Sequence, residues 1–108
     1  REMSMAFLGD LACEFISNFK IDILFLGAEG LNATHGATVP NIEDAQTKRA
    51  FVRQAKKVVL LVDHTKIGKS FFMNIAHIKD IDLVITNKQA NPKFINELMS
   101  LGLSFALV

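Results

Sequence analysis

The sequence has little of three features that would assign it to a specialised class of protein. Its single cysteine, Cys13, rules out an internal disulfide framework and fits a reducing cytosol. No apolar run reaches about 18 residues, so no membrane-spanning helix is expected. The net charge of +1 argues neither for nor against an anionic partner, and no basic stripe of the kind that tracks nucleic acid is present. With half its 108 residues hydrophobic and 21% charged, the chain has the composition of an ordinary globular domain.

Metal and cofactor motifs are also missing. The three histidines, His35, His64 and His77, do not have the spacing of metal ligands, and neither a cysteine nor a paired carboxylate joins them. Cys13 lies on a predicted apolar helix and is interpreted as a core or boundary residue rather than a nucleophile. The sequence therefore predicts no metal site and no cofactor.

What the chain does contain is two apolar runs, residues 21–27 and 58–62, that predict buried strands. Both are apolar at nearly every position, which is typical of parallel strands covered on both faces. The other predicted elements are a helix over about 3–19, a loop over 32–40, a helix from a cap at Asn41 to about Lys56, a strand over 81–86, a helix from Asn91-Pro92 to Gly102, and a strand over 103–108. Residues 64–79 have a mixed period and receive no assignment.

The alternation of strands and helices predicts an α/β fold. We expect a three-layer, Rossmann-like, mostly parallel sheet with helices on both faces. Lys56 and Lys57 are expected near the negative end of the second helix.

Polar residues follow both apolar strands. Gly27-Ala28-Glu29-Gly30 comes after the first, and Asp63-His64-Thr65-Lys66-Ile67-Gly68 comes after the second. Ligands of open α/β sheets bind just outside the carboxyl ends of the strands. The two strand ends therefore predict a shared polar pocket for a small hydroxylated ligand.

Each pocket candidate has a chemical role and a simpler alternative. Glu29 can accept hydrogen bonds from hydroxyls, with Gly30 allowing close backbone approach, or it is a solvated turn carboxylate. In one interpretation, Asp63 and Lys66 face the ligand, and Lys66 binds a phosphate or oxyanion as a point charge. In the other, the two residues only form a surface salt bridge. His64 is predicted to line the pocket and to add pH sensitivity.

Further candidates lie between the two strands. Gly36, Thr38 and Asn41 belong to a loop and helix start whose N–H groups can cradle an anion, although Asn41 can equally be an ordinary cap. Lys48 and Glu43 lie on the following helix, where a ligand contact and a solvent-exposed charge are equally good interpretations.

The order of several motifs carries a resemblance. They are Leu26-Gly27-Ala28-Glu29-Gly30, Gly36-Ala37-Thr38-Val39-Pro40-Asn41, Glu43-Asp44-Ala45, Thr47-Lys48-Arg49-Ala50, Val62-Asp63-His64-Thr65-Lys66-Ile67-Gly68 and Ile81-Asp82-Leu83-Val84-Ile85-Thr86. Together they resemble the C-terminal sensor domain of DeoR-type transcriptional repressors, over nearly all of the chain. The segment from Arg1 to Gly9 also looks like the one that precedes the middle helix of that sensor.

The resemblance implies a cytoplasmic, homo-oligomeric regulator that does not enter a membrane. In it, an N-terminal winged helix-turn-helix would bind operator DNA, and the sensor would bind a phosphorylated sugar or related metabolite and release the DNA. The family's phosphate-binding Asp-x-Gly-Thr-Thr loop does not occur in this sequence. We therefore expect the DNA-binding domain and the N-terminal part of the sensor to lie outside this chain, which would hold half of the pocket.

The same fold is similar to pentose-phosphate isomerase, an enzyme. Where that enzyme has a general-base carboxylate on a helix, this chain has Thr47, which cannot act as a base near neutral pH. At the enzyme's Lys-Gly loop it has His35-Gly36. The sequence thus predicts a sensor that is not an enzyme, with an isomerase-like enzyme and an oligomerisation module with a vestigial pocket as alternatives.

Overall fold

The computed structural model describes residues 2–108, and their side chains from Gly9 onward. The expectation for the segment from Arg1 to Gly9 therefore falls on Arg1 and on the side chains of residues 2–8, which lie outside the described part. The elements in chain order are α1 (Glu2–Ile16), β1 (Ile21–Gly27), β2 (Gly30–Asn32), β3 (Gly36–Val39), α2 (Ile42–Gln54), β4 (Ala55–Leu61), β5 (Met73–Ala76), β6 (Leu83–Thr86), α3 (Pro92–Ser100) and β7 (Phe105–Leu107). Short 3₁₀ turns span His64–Lys66 and Ile78–Asp80.

A four-stranded parallel sheet forms the centre of the fold, in the order β1-β4-β6-β7. Its register aligns Leu26 with Leu60 and Leu60 with Val84. Helix α2 connects β1 to β4 and α3 connects β6 to β7, as parallel pairing requires. The α/β prediction and the parallel sheet are confirmed.

The helix boundaries also agree with the sequence signals. Asn41 caps α2 by accepting the Asp44 N–H at 2.8 Å, and Asn91 caps α3 by accepting the Lys93 N–H at 2.9 Å. Gly102, with a φ of 101°, follows the end of α3 in the left-handed region that glycine favours. Within residues 2–108, no helix is long and apolar enough to cross a membrane.

The loop predicted over 32–40 is wrong. This segment contains a β2–β3 hairpin, and β5 pairs with β3 to make a three-stranded antiparallel sheet. Leu31, Ala37 and Val39 are fully buried, so burial overrides the turn-like composition. Gly36 has a φ of 69°, and a Cβ there would collide with the Ala76 carbonyl oxygen, which explains the glycine at the start of β3.

The predicted end of α2 is also wrong. The helix ends at Gln54, and Lys56 and Lys57 are exposed residues of β4 rather than the last turn of a helix. The physical reason is pairing with β1, which begins at Ala55 opposite Ile21 and continues through Lys57 opposite Ile23. Strands β6 and β7 are each shorter than predicted, at 83–86 and 105–107.

The core lies on one side of the parallel sheet. Leu26, Leu60 and Val84 are buried there in one cluster with residues of the small sheet, α2 and α3. On the other side, Phe25 is 64% exposed and Leu61 is 44% exposed. The expected covering of both faces is therefore not met among the residues that the structure describes.

Candidate functional site

Three charged side chains meet where β1 and β4 end. Glu29 lies in the connection after β1, and its N–H donates to the Thr38 carbonyl at 3.0 Å. The Lys66 Nζ lies 3.9 Å from Glu29 Oε1 and 3.8 Å from Asp63 Oδ2. Because β1 and β4 are adjacent and parallel, residues far apart in sequence come together at the same edge. We call Glu29, Asp63 and Lys66 the Lys66 cluster.

The Asp63 carboxylate is held in place by the turn that it caps. Its Oδ1 accepts the Thr65 N–H at 2.8 Å and also the Thr65 hydroxyl. The Thr65 hydroxyl, then the Thr65 N–H, and less strongly the charges of Lys66 and His64, lower the pKa of Asp63 below its ordinary 3.8. Asp63 therefore offers an ionised, oriented acceptor at the strand end.

A second ammonium reaches the end of β1 from α2. The Lys48 Nζ donates to the Gly27 carbonyl at 3.3 Å and lies 3.2 Å from Asp44 Oδ2. Asp44 was not among the predicted site residues, although its spacing of four residues before Lys48 is the signal for such a pair. Glu43, by contrast, is an exposed residue of the first turn of α2.

The remaining residues predicted between the strands belong to the hairpin. A Cβ on Gly30 would lie 2.6 Å from the Lys69 carbonyl oxygen, so glycine allows close chain approach there. Thr38 is buried, and its hydroxyl accepts the Phe71 N–H at 2.9 Å. Gly36 and Thr38 lie on a strand paired on both sides, by β2 and β5, and not on the open anion-binding loop that the sequence suggested.

His64 lies on the other side of the Asp63 turn, next to the end of β6. Its backbone N–H donates to Asn87 Oδ1 at 2.6 Å, and its ring Nδ1 lies 2.8 Å from Asn87 Nδ2. Asp63 and Asn87 also line a surface depression of about 380 Å³ at the ends of β4, β6 and β7. Asn87 was missed from sequence, though it directly follows a predicted strand and the strand-end rule would have selected it.

The other histidines do not join this site. His35 Nδ1 lies 3.0 Å from the Ser70 hydroxyl at the hairpin turn, and His77 precedes the turn over Ile78–Asp80 without a capping hydrogen bond from its side chain. In the described part of the chain, no group of three His, Cys, Asp or Glu side chains could hold a metal ion.

An α/β domain with charges of both signs at the carboxyl ends of parallel strands has the architecture of a small-molecule-binding domain. Comparison with known proteins identifies the family. Residues 1–88 match the model of the DeoR C terminal sensor domain, so the chain belongs to the DeoR family.

Similar curated proteins are named as transcriptional regulators. The HTH-type transcriptional regulator GlpR of Haloferax volcanii is 35% identical over 104 residues, which cover 96% of this chain and 41% of that protein. The HTH-type transcriptional repressor GlcR of Bacillus subtilis is 36% identical over 86 residues, covering 80% and 33%. The glycerol-3-phosphate regulon repressor of Escherichia coli is 31% identical over 80 residues, covering 74% and 32%.

The chain thus spans about two fifths or less of the length of these relatives. A sensor-domain family and relatives named as regulators support the prediction that this domain is not an enzyme. The isomerase alternative, which already lacked a base at Thr47, is not supported.

Proposed function

We propose that this chain is the effector-binding part of a DeoR-family transcriptional regulator, and that its effector is a phosphorylated sugar or a related phosphorylated metabolite. The observation that carries the proposal is the position of the Lys66 ammonium, 3.9 and 3.8 Å from carboxylates at the ends of two neighbouring strands. An ammonium can bind a phosphate, and the carboxylates can accept hydrogen bonds from hydroxyls. The Lys66 cluster therefore matches both chemical parts of a sugar phosphate.

The Lys48 ammonium adds a second cation at the same edge of the sheet. Each ammonium group is paired with a carboxylate that is exposed to solvent. A phosphate can therefore replace the carboxylate as the partner of the ammonium group without leaving a buried charge unpaired. The name of the Escherichia coli relative, a glycerol-3-phosphate regulon repressor, supports a small phosphorylated polyol as the ligand class.

In the proposed regulator, a winged helix-turn-helix and the remainder of the sensor lie outside residues 1–108. The protein acts in the cytoplasm as a homo-oligomer that binds operator DNA. The effector releases the DNA by binding one arrangement of the oligomer better than the other, because a ligand with equal affinity for both shifts nothing. Names of relatives as HTH-type regulators support this organisation.

The proposal is tested by thermal unfolding of the intact protein with glycerol 3-phosphate, deoxyribose 5-phosphate and hexose phosphates, each beside its unphosphorylated counterpart. A ligand at about 100 times its dissociation constant adds roughly 2.7 kcal/mol of stability. We expect a rise of several degrees with one phosphorylated compound and none with its free polyol.

Variants then locate the site. We expect Lys66→Ala and Glu29→Ala to lose the ligand-induced shift, whereas Lys69→Ala, an exposed lysine three residues further along, retains it. If every variant responds like the wild type, the ligand binds elsewhere. If the folded wild type responds to no compound, the alternative of an oligomerisation module with a vestigial pocket replaces the proposal.

A further inference from the structure

Asn87 connects the Asp63 turn to the neighbouring strand through one side chain. Its Oδ1 accepts the His64 backbone N–H at 2.6 Å. Its Nδ2 lies 2.8 Å from His64 Nδ1 and 2.6 Å from Gln89 Oε1. The amide group therefore uses its carbonyl oxygen on the His64 backbone and its two N–H groups on two separate acceptors.

These contacts determine the orientation of the amide. The backbone N–H of His64 can only donate, so the atom facing it must be the amide oxygen and not the nitrogen. The nitrogen then faces the His64 ring. Because an amide NH₂ carries two protons and accepts nothing, His64 Nδ1 must be the acceptor, and the ring proton of the neutral imidazole must lie on Nε2.

The backbone that carries Asn87 is fixed on both sides. The Val62 N–H donates to the Ile85 carbonyl at 3.2 Å, and the Val108 N–H donates to the Thr86 carbonyl at 2.9 Å. The Lys88 N–H donates to the Val108 carbonyl at 3.1 Å. Asn87 thus directly follows β6, between residues whose backbone groups are hydrogen-bonded to β7 and its C-terminal neighbour, while His64 is exposed and directly follows Asp63 of the Lys66 cluster.

We propose that Asn87 is a positioning residue that holds His64 in the Nε2–H tautomer, so that His64 presents a hydrogen-bond donor to the effector. The inference rests on the proposed function, since it assigns His64 to the same ligand site. A donor at this position selects an acceptor oxygen of the ligand, from a hydroxyl, carbonyl or phosphate group. Lys66 and Glu29 then supply a donor and an acceptor from one side of the Asp63 turn, and His64 supplies a second donor from the other side.

Asn87→Asp tests the role with almost no change of shape. The carboxylate still accepts the His64 backbone N–H, so the turn stays anchored. It also accepts a proton from the ring, so His64 should switch to Nδ1–H and Nε2 should become an acceptor. Asn91→Asp is the matched control, because it adds the same charge nearby and aspartate is as good a helix cap as asparagine.

The readout is the ¹⁵N spectrum of the imidazoles in the intact protein at alkaline pH, where neutral histidine shows one pyrrole-type and one pyridine-type nitrogen. Only three histidines are present, and His64→Gln assigns the signals. We expect Nδ1 of His64 to be pyridine-type in the wild type and in Asn91→Asp, and pyrrole-type in Asn87→Asp. Unchanged His64 signals in a folded Asn87→Asp protein would overturn the proposal.

The wild-type spectrum is a second test that does not depend on the variant. A single tautomer gives limiting ¹⁵N chemical shifts, whereas averaged shifts like those of a free histidine would contradict the proposal even if Asn87→Asp does not fold.

Binding of glycerol 3-phosphate and of the other phosphorylated probes is measured in parallel. We expect Asn87→Asp to bind the phosphorylated probe at least tenfold more weakly than the wild type, and Asn91→Asp to bind it equally well. A tautomer switch in Asn87→Asp with unchanged probe affinity would overturn the role of His64 as donor. If Asn87→Asp switches the tautomer but the wild type binds no probe, the proposed function is refuted and the positioning by Asn87 stands.

Discussion

The two faces of the parallel sheet are built from the same kinds of residue and lie in opposite environments. Leu60 and Leu61 are neighbours on β4, yet Leu60 is 0% exposed and Leu61 is 44% exposed. On β1, Leu26 is buried and Phe25 is exposed. Because successive side chains of a strand point to opposite faces, this alternation separates a covered face from an open face. Apolar composition alone does not show which face a protein covers.

Strand order explains the difference. Parallel connections are right-handed in nearly all proteins. In the order β1-β4-β6-β7 the chain always moves in the same direction across the sheet, so all three connections lie on one side. Within residues 2–108 this leaves the face that carries Phe25 and Leu61 without a covering layer. A reversal of strand order would be needed to place helices on that side.

The largest expected effect is the difference in stability between alanine variants of the two leucines of β4. Leu60→Ala should lower the free energy of unfolding by about 2–5 kcal/mol, because it leaves a cavity among Leu26, Val84 and their neighbours. Leu61→Ala, the same chemical change one residue later, should cost less than about 1 kcal/mol. Urea unfolding of both variants measures the difference, and equal losses would mean that Leu61 is buried as well.

The comparison also shows what the sequence could predict. Strands β1 and β4 follow from continuous apolar runs, and α2 and α3 from the caps Asn41 and Asn91, because these signals are local. The β2–β3 hairpin could not be predicted in the same way. Its Gly, Thr and Asn residues are typical of a loop, and its partner β5 is distant in sequence and follows two exposed aromatics, Phe71 and Phe72.

The site residues also separate into those that local sequence signals predict and those that depend on the tertiary structure. Proximity of Glu29 to Asp63 and Lys66 was expected, because two parallel strands were predicted and their carboxyl ends meet. Asn87 follows a predicted strand and could have been selected on that ground, but its contact with His64 could not, because it requires β6 to lie beside β4. Thr38 and Gly36 were assigned to a loop, so the hydrogen bond and close approach that explain them could not be foreseen.

A smaller effect is expected at two buried threonines, Thr86 on the parallel sheet and Thr38 on the small antiparallel sheet. The Thr86 hydroxyl makes no hydrogen bond to the described residues, whereas the Thr38 hydroxyl accepts the Phe71 N–H. Thr86→Val should therefore stabilise the protein by about 1 kcal/mol, because it removes an unsatisfied buried group. Thr38→Val should destabilise it by a similar amount, since it leaves a backbone donor unpaired. Denaturant unfolding decides, and a Thr86→Val protein as unstable as Thr38→Val would show that the Thr86 hydroxyl is bonded.

A still smaller change in stability is expected on the open face. Phe25→Ser should alter the free energy of unfolding of the 108-residue chain by less than about 1 kcal/mol, because the ring is mostly exposed. It should nevertheless reduce binding of a hydrophobic fluorescent dye, since Phe25 lies on an apolar surface shared with Ile23 and Leu61. Phe72→Ser, which removes an exposed ring outside the strands, is the control. A loss of stability comparable to that of Leu60→Ala would show that the face is covered.

The smallest expected effect is at the strand end itself, where Asp63 is as exposed as the open face but held by Thr65. A carboxylate whose pKa is lowered in the folded state contributes stability that is present above its unfolded pKa and lost as pH falls through the folded pKa. For Asp63 that loss of stability begins near the ordinary pKa of 3.8 and is complete only below the lowered pKa.

Thr65→Val removes the hydroxyl, which is the main cause of the lowered pKa, and keeps the backbone N–H. The carboxyl ¹³C titration midpoint of Asp63 should therefore lie below 3.8 in the wild type and move toward 3.8 in Thr65→Val. Identical midpoints in the two proteins would mean that the hydroxyl does not lower the pKa of Asp63, and that the backbone N–H of Thr65 alone holds the carboxylate.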